Sequence, residues 1–216
     1  MFILTLATIL PINYMQKIDK IYLHWTGMAY SWRKPGHYHT IIDDKGVVYR
    51  QTDYHTSLEG HTFKRNINSV ALSMACMLNS DWKNCGPTEA QIDGMAKEAA
   101  KICCGLGWKA NEKFLEFRVM THAECAANRD FSRILVQLYS NKRPSVDWDH
   151  FAQEAGLPHA NYGPVSWHDN WPGGDSYRWD LWKLRATDKG GTGGYEMRKR
   201  IVKWMEKIYV GTPKTK

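Results

Sequence analysis

The stretch SVALSMACML at residues 69–78 carries no charge and is apolar at odd and even positions alike. A strand turns alternate side chains to opposite faces, so a run of this kind has to be covered on both sides. That requirement places it in the middle of a sheet with helices packed against it. DKIYLHWT at 19–26 reads as a second buried strand that passes into polar chemistry at His24, and EFRVMT at 116–121 as a third that leads into His122. HYHTIIDD and GVVYRQT flank Lys45 and Gly46, a hairpin signal with its turn around Asp44 to Gly46. A helix starts at Thr88, where Thr88 and Gln91 match the capping box. Ile92, Met95, Ala96, Ala99, Ile102 and Cys103 then recur at helical spacing, and Gly105 is placed to end the helix in a left-handed conformation. Further helices are expected around Asp130 to Tyr139, over Val146 to Ala155, and in YEMRKRIVKWMEKIY, whose Met197, Ile201, Trp204, Met205 and Ile208 form a stripe among basic faces. Strands interleaved with helices make this an α/β chain with a basic C-terminal helix.

A chain of 216 residues suits one domain and can bury its core without staples, so a metal site here would serve chemistry rather than folding. Residues 1–16 form an apolar N-terminal segment that breaks at Pro11, too short to span a bilayer as a helix. It has no Lys or Arg ahead of the apolar run and no small-x-small cleavage site behind it, so an export signal is not evident. Residues 17–186 are read as the functional domain, and 187–216 as a hinge rich in glycine followed by the basic helix. The stretch 156–178 is rich in Gly, Pro, Asn and Trp without any period, the mark of a functional loop. Five cysteines without regular spacing argue against a disulfide framework. The net charge of +7 favours an anionic partner. No nucleic-acid module signature is present, so cell-wall polymers are favoured over nucleic acid.

Nine histidines are scattered along the chain and none forms an HExxH pair on one helix. Any metal site must therefore be assembled from distant segments. His24 and His122 each stand at the end of an apolar run, and RWDLW sets Asp180 among aromatics just beyond the irregular loop. Two imidazoles and one carboxylate leave a fourth position for water, the catalytic rather than the structural zinc pattern.

IYLHWT, HYHTIIDDKGVVYRQTD, the NINS lead-in at 66–69, VMTHAE and RWDLW occur together in this order. In that set the chain, over about residues 18–184, resembles the zinc-dependent N-acetylmuramoyl-L-alanine amidases that include phage endolysins and the peptidoglycan recognition proteins. The resemblance implies a mixed central sheet flanked by helices, with Zn2+ in a cleft at one edge held by His24, His122 and Asp180. It implies that Tyr38 orients the attacking water or stabilises the oxyanion. Arg178 stands where many members carry a Lys, and a guanidinium can still donate to a developing oxyanion although it cannot give up a proton. His61 and Trp179 are expected on the substrate side, and His159, His168, Trp167 and Trp171 are further loop residues placed to touch substrate. His39 is expected to serve structure. Ser73 takes the position where many relatives have a glutamate base, and Glu124, two residues after His122, is a possible substitute.

The implied reaction is hydrolysis of the amide between N-acetylmuramic acid and the L-alanine of the stem peptide. The alternative is a peptidoglycan-binding recognition protein of the same fold without catalysis. The expected setting is that of a monomeric lysis enzyme which accumulates in a bacterial cytoplasm, acts at the wall, and makes electrostatic contact with anionic wall polymer.

Overall fold

A computed structural model describes residues 16–62, 66–126 and 180–211 of the chain. The helices expected over 130–155, the irregular loop with Arg178 and Trp179, and nearly all of the apolar N-terminal segment lie outside these residues. Among the described residues five strands form one sheet: β1 (Lys20–Trp25), β2 (Thr40–Ile42), β3 (Val48–Arg50), β4 (Ser69–Met74) and β5 (Val119–Thr121). Their order is β3-β2-β4-β1-β5. β1 runs parallel to β4 and β5, β2 runs parallel to β4, and only the β2–β3 hairpin is antiparallel. The sheet is mixed, as the resemblance implied.

The doubly apolar run is the middle strand. All six residues of β4 are buried, between β1 on one side and β2 on the other. The strand is shorter than the run: β4 ends at Met74, Met77 takes a left-handed conformation (φ 68°), and a 3₁₀ turn over Leu78–Ser80 follows. The next short helix, α1 (Trp82–Cys85), is capped by the Asp81 carboxylate.

Helix α2 (Glu89–Gly105) begins with the expected capping box between Thr88 and Gln91. Its end differs from expectation. Gly105 stays in the helix and the left-handed residue is Gly107 (φ 68°), after Leu106. Ile92, Met95, Ala96, Ala99 and Cys103 of α2 pack in one cluster with Ile21, Leu23 and Trp25 of β1 and Val70, Leu72 and Met74 of β4. The opposite sheet face carries the even residues of β1, Tyr22 and His24. Strand alternation thus separates a dry face under α2 from a face that bears functional groups.

At the hairpin, Asp43 accepts from the backbone N–H groups of Lys45 (3.0 Å) and Val47 (2.8 Å). Gly46 sits at φ 78°, and a Cβ there would lie 2.5 Å from the Ala90 carbonyl oxygen of α2. Only glycine lets turn and helix approach this closely.

The strand expected from Glu116 starts only at Val119, because a short helix α3 (Glu112–Leu115), capped by Asn111, comes first. Helix α4 (His122–Ala126) follows β5 without a break. The last helix, α5 (Gly193–Gly211), buries Met197, Ile201 and Met205 in the main cluster beside α2. Trp204 is half-buried and its indole N–H donates to Asp93 (2.8 Å). The glycines read as a hinge are tightly packed instead: Gly190 and Gly191 lie against the Trp182 ring, and Gly193 and Gly194 belong to α5. The five cysteines are free thiols. No helix among the described residues is long and apolar enough to cross a membrane.

Candidate metal centre

The register of the parallel strands explains how two distant histidines become neighbours. Leu23 of β1 pairs with Thr121 of β5, so the next residue on each strand is a histidine, His24 and His122. Parallel strands carry paired residues on the same face, and the two imidazole rings lie 4.7 Å apart between centroids. Asp180 completes the group. Its Oδ2 is 3.3 Å from His24 Nδ1 and 3.0 Å from His122 Nδ1. A backbone bond from the Ala123 N–H to the Asp180 carbonyl (3.1 Å) ties this segment to α4. The candidate ligand atoms of His24, His122 and Asp180 all lie within 4.8 Å of one another. Side-chain exposure is 0% for His24, 17% for His122 and 2% for Asp180, so the group is open to solvent only along His122.

The electrostatics suit a cation. Burial pushes the His24 imidazole well below its ordinary value, and the neighbouring His122 and His61 push it the same way. Burial raises the Asp180 carboxyl to about 6, against the opposing pull of His122. Its second oxygen, Oδ1, is buried without a hydrogen bond. Two nitrogen donors and a buried, under-satisfied carboxylate form a group that can hold a metal ion, and two His plus one carboxylate suit zinc with one position open.

Tyr38 is half-buried with its ring 5.2 Å from that of His24. Burial, and then the Asp180 charge, raise its phenol above the ordinary value, so it stays a hydrogen-bond donor. Ser73, paired in register with His24, has a buried hydroxyl on the same face, beside the Tyr38 phenol. His61 is also part of the cluster, 5.3 Å from the His24 ring. Its Nδ1 meets Thr62 Oγ1 at 2.8 Å and its Nε2 meets Ser69 Oγ at 3.1 Å. Burial lowers it to about 3, so the ring is neutral. His39 serves structure: its Nδ1 accepts from the Ala71 N–H (3.0 Å) and its Nε2 donates to the Ser57 carbonyl (3.2 Å).

Glu124 is occupied elsewhere. Arg198 of α5 clasps it through two bonds, Nη1 to Oε2 (2.8 Å) and Nη2 to Oε1 (2.9 Å), and Oε2 also accepts from the Thr121 N–H (3.0 Å). A third Arg198 bond reaches the Val119 carbonyl (3.0 Å). With both oxygens bound in a buried ion pair, this carboxylate fastens α5 to β5 and α4. Sequence reading missed Arg198, although its spacing to Ile201 and Met205 puts it on the buried side of the helix. Thr62 was also missed, and its one signal was its place beside His61.

The sequence model of the N-acetylmuramoyl-L-alanine amidase family matches residues 14–133, more than half of the chain. No curated protein matches the sequence. Among solved structures, the chain is similar to the N-acetylmuramoyl-L-alanine amidase LysC from Clostridium intestinale, at 13% identity over 53% of this chain and 76% of that one, with a TM-score of 0.39. It is also similar to the Drosophila peptidoglycan recognition protein SD, at 11% identity over 62% of this chain and 88% of that one, with a TM-score of 0.39. A third similar structure is the peptidoglycan recognition protein Hd from Alvinella pompejana, at 18% identity over 45% of this chain and 72% of that one, with a TM-score of 0.35. With the family match covering β1 through α4, both histidines included, this chain belongs to the N-acetylmuramoyl-L-alanine amidase family.

Proposed function

We propose that the protein is a zinc-dependent peptidoglycan hydrolase that cleaves the amide between N-acetylmuramic acid and the L-alanine of the stem peptide. The observation that carries this reading is the convergence of His24, His122 and Asp180 from segments far apart in sequence. Zinc held by these three side chains would supply an activated water and polarise the scissile carbonyl. Tyr38, as a phenol that keeps its proton, donates a hydrogen bond to the oxygen on which negative charge develops. Arg178, outside the described residues, is proposed to donate to the same oxygen. Glu124 is not the base in this reading, because its carboxylate is taken by Arg198. The net charge of +7 supports attraction to an anionic wall.

The test is digestion of purified peptidoglycan followed by mass spectrometry. Free stem peptides that begin with alanine are the expected product. Asp180→Ala is expected to abolish their release while muropeptide binding is kept. Undiminished hydrolysis by that variant would overturn the assignment of the ligands. Muropeptide binding by the zinc-loaded wild type without any cleavage would favour a recognition protein.

A further inference from the structure

Four buried side chains and one backbone carbonyl form an unbroken line of hydrogen bonds behind His24, and its far end fixes every donor. Ser69 Oγ lies 2.7 Å from the Asn66 carbonyl, which can only accept, so the single Ser69 hydroxyl hydrogen points there. Ser69 Oγ must then accept at its 3.1 Å contact with His61, which puts the His61 proton on Nε2. Both ring nitrogens of His61 meet only hydroxyl partners among the described residues, with no acid to hold a second proton, so Nδ1 is left as an acceptor and the Thr62 hydroxyl donates to it across 2.8 Å. With that hydrogen committed, Thr62 Oγ1 can only accept from His24 Nε2, at 3.4 Å the longest link. His24 is therefore protonated on Nε2, and its Nδ1 lone pair faces Asp180 Oδ2 at 3.3 Å. Two lone pairs set against each other call for a positive charge between them.

Asn66 holds the middle of this device and one of its ends. Its side-chain oxygen accepts from the backbone N–H groups of His61 (3.2 Å) and Thr62 (2.8 Å), while its own carbonyl terminates the line. His61, Thr62 and Ser69 are all buried, which protects the links from exchange with solvent.

We infer that His61 and Thr62 are positioning residues which lock His24 in the tautomer that presents Nδ1 to a metal. The inference rests on the metal reading above for its purpose, but not for its geometry. Such groups behind a ligand set its tautomer and ring orientation, and losing one typically weakens metal binding by about 10–100-fold.

The experiment has two arms. In the metal-free wild-type protein, ¹⁵N–¹H correlation spectra of the histidine rings should show the Nε2–H tautomer at both His24 and His61. An Nδ1–H signal at either ring overturns the inference. In the second arm, zinc affinity is measured by competition with a chromophoric chelator. Thr62→Val keeps the shape and removes the hydroxyl, and is expected to bind zinc about 10–100-fold more weakly. Thr62→Ser restores the oxygen and is expected to restore the affinity. Equal affinity of folded Thr62→Val and wild type overturns the inference. Failure of the wild type itself to bind zinc would sink the metal reading, and the ring spectra would still decide the tautomers.

Discussion

Replacing Arg198 with methionine tests the claim that the C-terminal helix is held by charge as well as by its apolar stripe. The Arg198 side chain is 8% exposed and that of Glu124 5%. Removing one partner of a buried ion pair leaves the other charge desolvated and costs about 3–5 kcal/mol. At about 2–4 °C per kcal/mol for a chain of this size, the melting temperature should fall by about 6–20 °C. Thermal and urea denaturation of the metal-free protein, followed by circular dichroism, measure this directly. Lys203→Met, on the exposed face of the same helix, is the control and should stay within about 0.5 kcal/mol of wild type. Adding Glu124→Gln to Arg198→Met removes the stranded charge and should recover part of the loss, so the two changes will not be additive. A loss under about 1 kcal/mol for Arg198→Met, or strict additivity in the double variant, would refute the reasoning.

Zinc at one hundred times its dissociation constant should stabilise the wild type by about 2.7 kcal/mol, a rise of about 5–11 °C in melting temperature, and Asp180→Ala should lose that rise. A third prediction concerns Glu98 on α2: burial pushes its carboxyl up, but hydrogen bonds from Lys101, Arg50 and Tyr54 outweigh that and hold it below its ordinary 4.5. A carboxyl lowered in the folded state contributes stability above 4.5 that is lost as pH falls through the folded value. Urea melts over a pH series should therefore show a steeper acid loss for wild type than for Glu98→Gln, and parallel curves would refute it.

Much of this architecture was legible because local signals agreed with one another. The uncharged run at 69–78 announced a central strand, the Thr88–Gln91 pair marked the start of α2, and Lys45-Gly46 marked the hairpin. What escaped was set by tertiary contact. The left-handed Met77 just beyond β4 has no local sequence signature, since Met is not a residue that favours that conformation. The packing of Gly190 against Trp182 cannot be told from a flexible glycine run by composition. For the candidate metal centre, His24 and His122 were visible as strand ends, but that they stand side by side depends on the Leu23–Thr121 register, which only strand pairing fixes. The line through Thr62 and Ser69 was hidden because threonine and serine occur everywhere, and only burial and distance give these two meaning.

The wide spacing of the three proposed metal ligands has a consequence for how the molecule matures. Positions 24 and 180 are separated by 156 residues, and the carboxylate is the last of the trio to leave the ribosome. A nascent chain with both imidazoles already in place still lacks its third donor, so tight capture of the proposed ion would wait until Asp180 has been made. A chain shortened before Asp180 would be left with two rings and no third ligand for the proposed metal.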